Sequence, residues 1–311
     1  MMAPASRSRE DWAALIARAD ALRREGEATG TSGTLAAAVD AYRAALDRAP
    51  RATAAGDWAA TQSYLGGALR LRGASEEGTA SLHAAVGACR AALEVYTVEE
   101  SPLDWARTQA LLGAAVTVLG ERQGDPGLLR EAAACYRTAT QGYTRDAAPL
   151  DWARMQRNRG AVLAILGEQT ADAAVLGEAA ASYRAALEEY DRTESPLDWA
   201  MTQSNLGHAL RVMGERLDDS SVLQAAVTAC RQALGEYTRE RAPTDWAMTQ
   251  TNLANALAAL GAREPGTARL EESVAAYRAA LEGFDGPQAE SYSAVVRFNL
   301  ALAERRLGER A

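Results

Sequence analysis

Residues Ser195–Arg241 read SPLDWAMTQSNLGHALRVMGERLDDSSVLQAAVTACRQALGEYTRER, and the landmarks of this stretch return at a fixed interval. Asp198-Trp199 is one of six Asp-Trp pairs, the others being Asp11-Trp12, Asp57-Trp58, Asp104-Trp105, Asp151-Trp152 and Asp245-Trp246. The last five tryptophans are 47 residues apart, and Tyr42, Cys89, Tyr136, Tyr183, Cys230 and Tyr277 keep the same step. Asn299-Leu300 falls where Asn252-Leu253 places a seventh half-copy. Self-similarity at a period of about 20 to 50 residues is the signature of a stacked array rather than of ordinary domains.

Within the quoted unit, Ser195-Pro196-Leu197-Asp198 predicts a helix start. Serine is placed to cap, proline loses no needed N–H in the first turn, and aspartate completes a capping box against the helix dipole. Trp199, Leu206, Leu210 and Met213 follow at helical spacing, and Gly214 reads as the stop. A second helix is expected from about Asp219 to Tyr237 with Leu223, Ala226, Val227, Cys230 and Leu234 inward. The fold expected is all-α: a right-handed α-solenoid of six helical hairpins plus a C-terminal capping helix. The units are about 9–53, 54–100, 101–147, 148–194, 195–241 and 242–286, with the cap over 287–308 made soluble by Glu304, Arg305 and Arg306. Residues 1–8 read as a disordered tail, and 9–311 as one domain.

Composition removes several chemistries. The chain has 311 residues, 48% hydrophobic and 24% charged, which is globular. All 33 basic residues are arginine, so no Schiff-base lysine or phosphate-loop lysine exists. The two histidines, His83 and His208, and the three cysteines, Cys89, Cys135 and Cys230, form no metal-binding motif, so no cofactor and no metal are expected. The cysteines fall at or beside the tyrosine position and read as buried structural thiols. A net charge of -8 speaks against nucleic acid and anionic membranes as partners. No apolar run reaches the roughly 20 residues of a membrane span, and Met1–Glu10 lacks a signal-peptide layout, so a cytoplasmic location is expected.

Leu206-Gly207 with Gly214 in the first helix, and the Tyr183–Leu187 run YRAAL in the second, resemble the tetratricopeptide repeat. That repeat has a usual period of 34 residues, so each unit here is about 13 longer. The Asn205-Leu206-Gly207 style is similar to kinesin-light-chain-like bacterial arrays. Glutamine stands where the repeat has an aromatic residue (Gln62, Gln109, Gln156, Gln203, Gln250). The resemblance implies a concave groove lined by first helices that binds a peptide or partner protein without catalysis.

Counting from each tryptophan as zero at 100° per residue, positions +4, +7, +11 and +14 share its side, so tryptophan is expected in the buried stripe. Positions +2, +5, +6, +9 and +12 are expected to face the groove. The chain has only five asparagines, Asn158, Asn205, Asn252, Asn255 and Asn299, and four of them occupy +6. Either they form a ladder of amides offered to a peptide main chain, or they hydrogen-bond between helices. The candidate partner-binding residues are Arg157, Asn158, Ser204, Asn205, His208, Arg211, Thr251, Asn252 and Asn255. The first helix from Asp151 to Glu168 nets +1 and the second from Asp172 to Glu194 nets -4, which favours an acidic segment in the groove. The function expected is a protein-interaction adaptor. The alternative is a regulatory sensor taking a small anion or peptide near His208, and no nucleophile–base–orienter spacing supports an enzyme.

Overall fold

The computed structural model describes residues 4–284 and 289–310, and the chain is an all-α solenoid whose helices pack consecutively. Two compact units divide it, residues 1–155 and 156–311, and the boundary falls inside one helix. The reason lies in the repeat: each helix buries its stripe against neighbours in sequence, so no common core runs the length of the chain.

The first unit holds α1 (Pro4–Thr29), α2 (Ser32–Arg48), α3 (Ala55–Ser75), α4 (Ala80–Leu93), α5 (Pro102–Gln123), α6 (Pro126–Ala139) and the start of α7 (Pro149–Gln169). Each helix packs on the next from α1 through α6, and the first helices also touch one another, α1 on α3 and α3 on α5. Helix α1 begins at Pro4, inside the expected tail, while Met1–Ala3 lie outside the described residues.

The second unit holds the rest of α7, α8 (Ala173–Leu187), α9 (Pro196–Leu217), α10 (Ser220–Ala233), α11 (Pro243–Gly261), α12 (Ala268–Gly283) and α13 (Ala289–Gly308). Consecutive packing runs from α8 through α13, with α9 on α11 and α11 on α13.

The core repeats with the sequence. Leu82, Leu129, Leu176, Leu223 and Leu270 are fully buried on the second helices, and each faces a glycine of its first helix. A β-carbon on Gly214 would lie 2.9 Å from Leu223 Cγ, so this glycine permits helix crossing and does not stop the helix, which continues to Leu217. Part of the length beyond a 34-residue repeat is therefore helical.

The caps also differ from expectation. Ser101 and Ser195 make no side-chain cap bond; each hydroxyl donates backward, to the Thr97 and Asp191 carbonyls. Three second helices, α6, α8 and α10, are capped instead: Asp125, Asp172 and Asp219 accept from the N–H groups two and three residues on. Helix α10 ends at Ala233, short of the expected Tyr237, because the chain turns there and tucks Tyr237 into the core at 3% exposure.

The tryptophans are half-buried rather than in the sealed stripe, and the fully buried residue is the alanine after each: Ala59, Ala106, Ala153, Ala200 and Ala247. In the first unit Trp58 and Trp105 close on Ala59, Ala92 and Tyr96. In the second, Trp199 and Trp246 close in the same way on Ala200, Ala233 and Tyr237. The outer ring faces carry guanidiniums, Arg51 over Trp58 at 5.0 Å and Arg192 over Trp199 at 5.2 Å.

On α13 Glu304, Arg305 and Arg306 are exposed, and apolar side chains are exposed beside them. Val295, Phe298 and Leu302 of α13 are 59%, 72% and 41% exposed. At the position equivalent to Phe298, Ser63 and Ser204 bond to Thr108 and Thr249 of the following first helix, whereas Phe298 is exposed.

Candidate functional site

The expected binding residues lie on α7, α9 and α11 of the second unit, all beyond residue 155. Four of them are consumed by the scaffold. Ser204 is 7% exposed and accepts hydrogen bonds from Thr249 Oγ1 at 3.0 Å and Asn252 Nδ2 at 3.3 Å. The pattern recurs in the first unit, where Ser63 and Thr108 pair at 2.9 Å. Position +5 therefore faces the next first helix and not an open groove. Thr251 donates to the Ala247 carbonyl of its own helix, and Asn255 accepts from Tyr277 at 2.5 Å and from Asn299 Nδ2 at 3.3 Å. For Asn252, Asn255 and Asn299 the asparagine pattern is inter-helix bonding.

The cations are tied down too. Arg157 Nη1 reaches Asp198 Oδ1 at 2.5 Å with its side chain 14% exposed, and its guanidinium lies 5.6 Å from the Tyr190 ring centre. His208 Nε2 meets Glu168 Oε1 at 2.7 Å. That hydrogen bond holds the Glu168 carboxyl below the usual glutamate range, against the opposing effect of burial. Arg211 Nη1 pairs with Glu215 at 2.6 Å while its buried Nε has no acceptor. Arg154, Arg157 and Arg159 of α7 each already hold a carboxylate, so the +1 counted for the first helix is not free charge.

Asn158 and Asn205 remain. They occupy the same repeat position on successive first helices and are half-buried, and neither side chain hydrogen-bonds to another described residue. An amide in that state carries two donors and an acceptor with no partner in the fold.

Sequence reasoning missed a hollow of about 320 Å³ beside this face, where Arg211, Glu215, Tyr277, Asn299 and Arg306 converge. Asn299 was legible as a member of the +6 series; Tyr277 comes from a second helix and no first-helix pattern points to it. The thiols behave as expected: burial pushes Cys89 and Cys230 up to about 12 and Cys135 to about 11. Among the described residues no group of three His, Cys, Asp or Glu is placed to hold a metal, and no helix is long and apolar enough to cross a membrane.

No protein-family model and no curated protein matches the chain. Among solved structures it is similar to a Rap protein complexed with competence and sporulation factor, at 13% identity and a TM-score of 0.42, covering 93% of this chain and 75% of that one. A likeness of that size leaves the function of this chain to be argued from its own residues.

Proposed function

We propose that the chain is a tetratricopeptide-like interaction protein, an adaptor without catalysis of its own, whose first helices in the second unit bind an extended segment of a partner protein. The observation that carries this reading is the pair of unpartnered amides, Asn158 and Asn205, one repeat apart on α7 and α9. Neither amide is sealed from solvent, so both are free to accept from and donate to a peptide main chain. Because Arg157 and Arg211 are neutralised by Asp198 and Glu215 and His208 is hydrogen-bonded to Glu168, the segment is recognised through its backbone and carries no required acidity.

Peptide display against the purified chain, followed by titration of the selected peptides, tests this. Asn158→Ala/Asn205→Ala removes about one to two net hydrogen bonds' worth of binding and weakens the peptide by about tenfold or more, with an unchanged circular dichroism spectrum. Equal affinity of wild type and variant would move the interface off this face.

A further inference from the structure

The cations of the first unit contrast with those of the second. Helices α1, α3 and α5 enclose a hollow of about 260 Å³ into which Arg23, Arg24, Arg70 and Arg107 all project, against a single lining carboxylate, Asp20. Asp20 is already engaged: it accepts from Tyr42 at 2.5 Å and stands 4.0 Å from Arg23 Nε. Arg23 also pairs with Glu27 at 3.2 Å, and Arg107 with Asp104 at 2.6 Å while lying over the Tyr64 ring. Arg24 and Arg70 have no hydrogen-bond or ion-pair partner among the described residues. The Nε atoms of Arg70 and Arg107 are buried without an acceptor. A partly desolvated guanidinium lacking an acceptor, as at Arg70, is unfavourable unless an anion enters.

Position in the repeat supports a dedicated role for Arg70. It is equivalent to Arg211, and in these two units the second helix carries cysteine, Cys89 and Cys230, at the tyrosine position. In three other units the same position is Thr117, Ala164 or Ala258, opposite Tyr136, Tyr183 or Tyr277, and in the first it is Arg23, beside Tyr42. Arg23 is answered by Glu27, four residues on. Arg211 is answered by Glu215; the residue four on from Arg70 is Ala74, so Arg70 is left open.

We propose that this hollow is an anion site for the phosphoryl group of inorganic phosphate or a small phosphate ester. Guanidiniums from three helices match a tetrahedral dianion, which offers three oxygens, better than a carboxylate, which one arginine satisfies in bidentate fashion. The site is separate from the asparagine face and does not depend on it.

Calorimetric titration of the full chain at constant ionic strength tests the assignment, with inorganic phosphate and phenyl phosphate as probes and acetate as the reference anion. Both phosphoryl probes are expected to bind and acetate to bind at least about tenfold more weakly; whichever phosphoryl probe is tighter identifies free phosphate or ester as the source. Arg70→Gln lowers phosphate affinity about tenfold or more and melts no lower than wild type, since its guanidinium has no partner in the protein to lose. Arg24→Gln, at an exposed side chain, is the second variant, and Arg130→Gln, exposed on α6, is the control that leaves affinity unchanged. Absence of binding at millimolar phosphate, acetate binding as tight as phosphate, or equal losses in Arg70→Gln and Arg130→Gln would overturn the proposal.

Discussion

Gly66 and Gly67 are adjacent in α3, yet alanine should act on them with opposite sign. Both changes gain the same helix propensity, about 1 kcal/mol for Gly to Ala in a helix interior. The surroundings differ. A β-carbon at Gly66 would lie 2.5 Å from Cys89 Sγ and 3.3 Å from the Ala85 carbonyl oxygen, whereas one at Gly67 meets only Leu111 methyl carbons at 3.5 and 3.9 Å. Cys89 is fully buried and has a single side-chain torsion, so it cannot swing clear without displacing its neighbours. Overpacking of this kind costs about 1–3 kcal/mol, and with backbone on one side the upper half of that range applies. Gly66→Ala is therefore expected to be destabilised by about 1–2 kcal/mol net and Gly67→Ala stabilised by up to about 1 kcal/mol. For a unit of this length each kcal/mol moves the transition by about 2–4 °C, so scanning calorimetry of the full chain should place the two variants on either side of wild type. Adding Cys89→Ala to Gly66→Ala, which vacates the space the new methyl needs, should recover most of the loss, a coupling that a double-mutant cycle reads directly. A Gly66→Ala protein as stable as Gly67→Ala would refute the close helix approach on which the repeat packing rests.

Other consequences are smaller. The three thiols, raised to about 12, 11 and 12 at Cys89, Cys135 and Cys230, should resist a disulfide reagent at pH 8 in the native chain and react together on unfolding in urea; fast native reaction would contradict their burial. Trp199→Ala should cost about 2 kcal/mol in a urea melt, less than the roughly 3–5 for a sealed tryptophan, because the ring is half-buried and shares its outer face with Arg192. His208→Ala should let the Glu168 carboxyl rise toward the ordinary glutamate value in an NMR titration. Since the folded value is depressed, the pair contributes stability above the ordinary glutamate range and loses it as pH falls through the lowered value, so the wild-type advantage over His208→Ala should vanish in acid.

The helices were legible because the period is fixed and each hairpin repeats its apolar stripe; the positions of Leu223 and Cys230, for instance, follow from the quoted unit alone. Which face each residue presents was less legible. A helical wheel gives angles about one axis, but a first helix in a stack has two neighbours, its own second helix and the next first helix. Ser204 lies on the far side from the leucines and is nonetheless buried, covered by Thr249 one repeat later. Charge misled for the same reason. Arg157 and Asp198 are 41 residues apart and His208 and Glu168 are 40 apart, pairings that cross between repeats and vanish when charges are summed helix by helix. The arginine hollow escaped notice because its lining comes from three units, Arg23 and Arg70 at one repeat position and Arg107 at another, so no single repeat displays it. The caps were misplaced because Ser-Pro suits a helix start in isolation, while here the serine hydroxyl donates to the preceding turn.

With five asparagines in the chain, side-chain amide spectra of protein labelled only at asparagine give five resolvable signal pairs and test the central claim directly. The account predicts fast exchange with water for the Asn158 and Asn205 amides and slow exchange for Asn252, Asn255 and Asn299. On addition of a display-selected peptide, Asn158 and Asn205 should shift and become protected while the other three stay in place. Five equally protected amides in the free protein, or a bound peptide that leaves Asn158 and Asn205 unmoved, would contradict it.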